Sequence, residues 1–226
     1  MIAKYDRQGF SLIEVLVAMA CSSIVIAALY QMFHSQQKSY MQQDEIAEMQ
    51  QNLRAGLYLM TKDIRSAGFD PTRLSNAGIV TNFFSPPNAV FGPDIDYATA
   101  TDIIAFTIDN NENGSIQAND NEQIAYRLNN NNLERYSALQ ATWESIADNV
   151  DALNFVYLDS DGLVTGIPNN IRSVEVTILV RTGDKDNNYK NTKTYKNKRD
   201  EEICPLCAND NYRRRLLSTT IRIRNL

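Results

Sequence analysis

The chain has 226 residues, 43% of them hydrophobic, and a formal net charge of −5. This length fits one folded domain, or one domain with an appended segment. The negative charge argues against a protein that binds nucleic acid through its overall field, and we expect no nucleic-acid partner. The only histidine is His34, which argues against a histidine-based catalytic triad, and we expect no enzymatic activity.

The first predicted element is a helix over the almost entirely apolar residues 10–33, which include no glycine or proline. About 20 apolar residues are enough for a helix to cross a membrane. Lys4 and Arg7 precede this segment, and positive residues of this kind place the N-terminus in the cytoplasm and the rest of the chain outside. The segment also contains Glu14, and a carboxylate at membrane depth indicates a function with a specific partner.

Several interpretations of this N-terminal segment are possible. A cleaved secretory signal rarely carries a charge such as Glu14 in its apolar core. A lipoprotein signal cut before Cys21 would want a large aliphatic residue where Ala18 stands. A plain anchor leaves the glutamate unexplained. If the chain is instead cut after Gly9, Phe10 carries the new ammonium, and Glu14, one helical turn later, can pair with it or with that of a neighbouring copy.

The stretch GFSLIE, residues 9–14, followed by a long apolar helix resembles the class III signal of type IV pilins and of type II secretion pseudopilins. The resemblance implies that a prepilin peptidase cuts after Gly9 and methylates Phe10, and that Glu14 assists assembly into a helical filament. Ser11 stands where threonine is commoner in the family. Gln31 stands where many major pilins have a proline, which favours a minor pilin or a pseudopilin.

An amphipathic continuation of the helix is predicted over residues 35–70, because apolar residues recur there at spacings of three and four. Gly68 and Pro71 indicate where it stops. A coiled coil is the alternative, but only this second half fits heptads. The resulting division is a leader at 1–9, a transmembrane and filament-core helix at 10–34, the amphipathic helix at 35–70 and a globular domain at 71–226.

The globular domain reads as short strands separated by turn-forming residues. We predict strands at residues 77–83, 102–108, 122–128, 133–136, 152–158, 171–181 and 213–224, with a hairpin turn at 129–132 and a short helix or turn at 143–150. The class is α+β, a pilin-like long helix packed on antiparallel sheet.

Several later stretches, among them QIAYRLNNNNLERY and YRRRLLSTTIRIRN, resemble PilW-type minor pilins. The J-type pseudopilin of type II secretion is the main alternative within the same family. The resemblance implies other pilins, the prepilin peptidase and an inner-membrane assembly platform as partners. It also implies a single-pass inner-membrane protein that moves to a periplasmic or cell-surface pilus. A membrane-anchored calcium- or ligand-binding module is the alternative from another class.

The stretch DNNENGSIQAND has the ligand spacing of a calcium loop. Its candidate Ca²⁺ ligands are Asp109, Asn111, Asn113, Ser115, Asp120 and the nearby Glu122. Asp120 stands where a bidentate glutamate is usual, and the neutral asparagines predict a modest affinity. An asparagine-rich surface loop is the competing interpretation.

Cys204 and Cys207 form a CPLC stretch in a long, lysine-rich connection between two predicted strands. Zinc would need two further ligands, and a redox dithiol would be expected in a βαβ unit. Outside the cytoplasm the two cysteines should oxidise to a structural disulfide. Redox activity, an intermolecular metal and free thiols are the alternatives.

Overall fold

The computed structural model describes residues 9–80, 101–117, 120–137 and 142–226. The predicted leader, apart from Gly9, lies outside the described residues, as do residues 81–83 of the first predicted strand. Contacts divide the chain into one unit that ends at Asp44 and a second that begins at Glu45.

The helix α1 runs from Leu12 to Ser66, and no proline interrupts it. In the first unit every described residue from Gly9 to Met41 is exposed. This part of the helix is long and apolar enough to cross a membrane. The helix ends just before Gly68, whose φ of +75° is a conformation that glycine adopts without steric cost. The predicted stop at Gly68 is therefore confirmed.

The described residues of the second unit form two antiparallel sheets. The first has the order β1-β2-β3-β4, and the second has the order β5-β6-β7. The strands are β1 (Ile103–Thr107), β2 (Gln123–Asn129), β3 (Asn132–Ser137), β4 (Thr142–Ala147), β5 (Val150–Leu158), β6 (Ser173–Arg181) and β7 (Arg214–Arg222). Short 3₁₀ helices span Pro168–Asn170 and Pro205–Cys207. The α+β prediction is confirmed, a long helix on antiparallel sheet.

Most of the predicted strands appear within two residues of their predicted limits, and the prediction of a short helix or turn at 143–150 is wrong. That segment forms most of β4, which pairs with β3. The side chains of Trp143 and Tyr136 contact each other across the two strands, with ring centroids 5.4 Å apart. Asn149, with a φ of +59°, then turns the chain into β5. The aromatic contact between the two strands stabilises β4. The residue pattern of 143–150 alone does not reveal such a contact.

The second half of α1 packs on both sheets through one hydrophobic core. Its buried side chains include Met49, Leu53, Leu57, Met60 and Ile64, spaced three and four apart. Gly56 lies on the same stripe, and a Cβ there would be 2.8 Å from the Leu133 Cδ2 on β3. Glycine therefore allows the helix to approach the sheet closely.

A buried polar contact also fixes the helix on the first sheet. The carboxylate of Asp63 accepts hydrogen bonds from the Tyr126 hydroxyl at 2.6 Å and from the Arg135 Nε at 2.8 Å. Burial, followed by the charge of Asp63, raises the pKa of Tyr126, so this hydroxyl stays a donor at physiological pH. The contact selects one rotational setting of the helix, because another setting would leave these groups buried without partners.

The connection between β6 and β7 covers the other face of the second sheet. A small cluster of Tyr195 and Cys207 packs there against Ala152 and Leu179. Asn191 is fully buried, and its Oδ1 accepts a hydrogen bond from the Tyr195 hydroxyl at 3.1 Å. The connection is thus anchored to the sheet despite its lysine-rich composition.

Candidate functional site

The start of α1 brings Ser11 and Glu14 together. The Ser11 N–H donates to the Glu14 carboxylate at 3.0 Å, and the Glu14 N–H donates to the Ser11 hydroxyl at 3.3 Å. This reciprocal arrangement is a capping box, which satisfies backbone donors that a helix start leaves unpaired. Glu14 therefore has a partner within its own chain. The S-x-x-E spacing of Ser11 and Glu14 is the signal that could have predicted it.

The residues just before the helix are open to their surroundings. Phe10 is 85% exposed, and a Cβ on Gly9 would meet nothing within 4 Å. A shallow apolar groove runs along the helix from here, lined by Phe10, Glu14, Ala18, Ser22 and Ile26 among others. These positions recur every four residues and so share one helix face. This face suits lipid or a second helix, because its apolar surface is unfavourable in water.

The predicted calcium loop places its two buried carboxylates on backbone donors. Asp109 accepts the N–H of Asn113 at 3.1 Å and that of Gly114 at 3.0 Å. Both Asp109 and Glu122 are fully buried. Gly114 has a φ of +78°, which is the sharp turn that the loop spacing predicts at this position.

Among the remaining predicted ligands, Asp120 is half-buried, and the others, Asn111, Asn113 and Ser115, are exposed. Asp120 accepts a hydrogen bond from the Asn111 Nδ2 at 2.7 Å. The Asn113 Oδ1 accepts the Ser115 N–H at 2.8 Å. Within the described part of the chain, no three His, Cys, Asp or Glu side chains are grouped so that they could hold a metal ion. Calcium binding at this loop stays a prediction.

Cys204 and Cys207 are joined in a disulfide whose Cα atoms lie 5.4 Å apart. The Cys207 carbonyl accepts hydrogen bonds from the Asn191 Nδ2 at 2.6 Å and from the Arg214 Nη1 at 3.0 Å. The disulfide turn is therefore tied to its own connection and to β7.

Arg214 is the centre of this anchoring, with a side chain only 3% exposed. It pairs with Asp151 on β5 and, through two hydrogen bonds, with Asp210. Burial alone would lower the pKa of Arg214, but the hydrogen bonds to both carboxylates outweigh it and raise the pKa. The hydrogen bond from Arg214 lowers the pKa of Asp210. The sequence alone does not predict this network, because Arg214 and Asp151 are 63 residues apart along the chain.

Comparisons with known proteins found two matching family models and a similar solved structure. A family model described as prokaryotic N-terminal methylation motif matches residues 4–30. A second family model, described as prepilin peptidase-dependent protein B, matches residues 42–198. No curated protein matches the chain. Among solved structures, a type IV-like pilin from Thermus thermophilus is similar, with 11% identity, a TM-score of 0.49 and coverage of 78% of this chain and 96% of that one.

Each of the two family models matches a different part of the chain. The methylation motif includes Gly9, Phe10, the capping box and the exposed apolar helix. The second model covers the packed half of α1 and the strands β1 to β6, which is more than half of the chain. The chain therefore belongs to the prepilin peptidase-dependent protein B family of type IV pilin-like proteins.

Proposed function

We propose that the chain is a minor subunit of a type IV pilus. In this proposal prepilin peptidase removes residues 1–9, and the apolar half of α1 holds the subunit in the inner membrane, with its N-terminus in the cytoplasm. The subunit then enters the filament at an inner-membrane assembly platform. The observation that carries this proposal is the exposed apolar part of α1, which begins at a capping box directly after Gly9 and Phe10.

The proposed function accounts for the free-energy cost of exposing this apolar helix face to water. Apolar surface contributes about 25 cal/mol per Å² when it is buried. A bilayer removes the face from water before assembly, and neighbouring helices do so in a filament. The subunit therefore acts by assembly rather than by catalysis.

Glu14 is the proposed assembly residue. Cleavage after Gly9 leaves an ammonium on Phe10, next to the residue that caps the helix. The capping box holds the Glu14 carboxylate at the same helix end. In a filament this carboxylate pairs with the Phe10 ammonium of a neighbouring subunit, because two opposite charges attract strongly in an apolar bundle.

A continuous helix supports a minor pilin over a major one. The helix α1 passes through Gln31 without a break, whereas the resemblance to major pilins would predict a proline there. The second candidate is a J-type pseudopilin of type II secretion, which the same features favour to the same degree. The two candidates differ in the machine that assembles them.

The experiment compares sheared surface filaments from strains that lack the assembly ATPase of either machine. We expect the mature chain in filaments of the wild type and of the secretion mutant, and its loss from filaments in the pilus mutant. The membrane fraction of each strain controls for expression. The chain would be a pseudopilin instead if loss of the secretion ATPase removed it from surface filaments.

A further inference from the structure

Among the strands that the structure describes, β7 is the outermost strand at one edge of the second sheet. Its pairs with β6 include Ser173 with Arg222 and Arg181 with Arg214. Just beyond each end, the Ile223 N–H donates to the Arg172 carbonyl at 3.0 Å, and the Thr182 N–H donates to the Arg213 carbonyl at 2.9 Å. In an antiparallel ladder the residues that bond to the partner strand alternate with those that point away. Odd-numbered residues of β7 therefore bond to β6.

The even-numbered residues of β7 direct their backbone groups outward. These residues are Arg214, Leu216, Ser218, Thr220 and Arg222. Within the part of the chain that the structure describes, no backbone hydrogen bond reaches their outward N–H and C=O groups. An open edge of this kind can accept one more strand from another chain.

The C-terminal end of this edge forms a basic groove. A groove of about 530 Å³ is lined by Arg65, Thr220, Arg222 and Arg224, among others. Arg65 lies on α1, on the core side of the sheet, whereas Thr220 accepts a hydrogen bond from Lys198 of the connection on the opposite side. The groove thus reaches from the core side of the sheet to the opposite side, at the C-terminal end of β7. We call it the β7 edge groove.

The cations of the β7 edge groove form no ion pair with the carboxylates that the structure describes. Among the described residues, Arg65, Arg222 and Arg224 take part in none of the ion pairs. Arg65 lies in the last turn of α1, where the helix dipole favours a positive charge. Arg222 and Arg224 are not part of a helix, so the helix dipole does not explain their positions. Three cations that pair with no described carboxylate, at one edge of a chain with a net charge of −5, are complementary to an acidic partner.

We infer that the β7 edge groove binds an acidic segment of a neighbouring subunit, in an extended conformation, as an additional strand beside β7. The partner's main chain pairs with the outward groups of Ser218, Thr220 and Arg222, and its carboxylates meet Arg222 and Arg224. That the partner is another subunit rests on the proposed function. The recognition of an acidic strand rests on the edge and its charge alone.

The test uses the full-length chain in detergent and two fluorescent peptides, one alternating glutamate with valine and one alternating lysine with valine. We expect fluorescence anisotropy to show binding of the glutamate peptide only, weakened by added salt. Arg222→Gln with Arg224→Gln should weaken binding about tenfold, since several exposed ion pairs are lost. The matched control is Lys190→Gln with Lys193→Gln, which removes the same charge from the exposed connection.

Thr220→Pro tests the strand pairing. It removes one outward N–H, and proline is tolerated on an open edge, so a thermal unfolding scan should show a folded chain. We expect this variant also to lose binding. Equal binding of both peptides, an unchanged affinity in Thr220→Pro, or equal losses in the arginine and lysine variants would overturn the inference. None of these outcomes bears on the filament fractions, which test the proposed function separately.

Discussion

Glu14 can cap its own helix or pair its charge with a neighbouring subunit, and single substitutions distinguish these two roles. Its carboxylate caps its own helix through Ser11, and its charge is available to a neighbouring Phe10 ammonium. The substitution Glu14→Gln keeps a side-chain oxygen that can accept the Ser11 N–H, and it removes the negative charge. An alanine at position 11 removes the side-chain cap and keeps the charge.

Charge pairing predicts that Glu14→Gln fails in assembly as severely as Glu14→Ala, whereas Ser11→Ala assembles. Loss of the cap costs only about 1 kcal/mol of helix stability, and bilayer or bundle burial of the long helix can offset that. The measurement is the ratio of each variant in sheared filaments to the same variant in membranes. Normal assembly of Glu14→Gln together with failure of Ser11→Ala would instead assign the role of Glu14 to capping.

The ion pair between Asp210 and Arg214 gives a pH dependence with a definite sign. Arg214 lowers the pKa of Asp210 below its ordinary value of 3.8. The pair therefore stabilises the fold fully above about pH 4 and loses this contribution as the pH falls through the lowered pKa. In Asp210→Asn, the drop in urea midpoint between about pH 6 and about pH 3 should be smaller than in the wild type. An equal drop in both proteins would contradict this role.

Part of the candidate site could be proposed from the sequence. Glu14 stands out because a carboxylate interrupts an apolar run, whereas Gly9 and Phe10 are assigned through the resemblance to the class III signal. Arg214 does not stand out, since its partner Asp151 lies on a strand distant in sequence. A buried ion pair of this kind depends on which strands become neighbours, and the sequence of one segment does not contain that information.

At the level of helix and sheet, Gly56 determines how closely α1 approaches β3. Gly56→Ala should gain about 1 kcal/mol of helix propensity. In the wild type the new methyl group would meet the fully buried Leu133, and overpacking costs about 1–3 kcal/mol. We therefore expect Gly56→Ala to destabilise the wild type and to stabilise Leu133→Ala, where the space is free. Chemical denaturation of the four proteins of this double-mutant cycle checks the change of sign, and the same effect in both backgrounds would contradict the close packing.

The loop between β1 and β2 carries the calcium prediction. Calcium in an extracellular module binds typically at about 10⁻⁴–10⁻³ M, and a bound ion raises the unfolding temperature. We expect calcium, and not magnesium, to raise this temperature in the wild type and to do so less in Asp120→Asn. The absence of any calcium-dependent shift at about ten times these concentrations would leave an ordinary asparagine-rich loop.

The elements differ in how well their sequences predict them. The second half of α1 and most strands follow from apolar periodicity, and the helix end follows from Gly68. The strand β4 is different, because its exposed and buried positions do not alternate regularly and its pairing with β3 shifts register near Leu133. Its stability comes from β3 and from the contact between Trp143 and Tyr136, which are tertiary features.

The chain combines an apolar helical segment that is exposed among the described residues with a well-packed α+β unit. The first unit keeps its surface exposed from Gly9 to Met41, whereas the second buries its half of α1 under two sheets. The association of identical or related helices explains why a folded protein retains such a surface. The central claim is therefore that the chain is processed after Gly9 and assembled through this helix.

The measurement that tests this claim most directly is the intact mass of the chain in sheared surface filaments and in membranes. We predict that the filament form begins at a methylated Phe10. A Gly9 variant that blocks cleavage is the control, and it should stay in the membrane with an intact Met1. An intact Met1 in filaments, or a lipidated start at Cys21 in either fraction, would contradict the account.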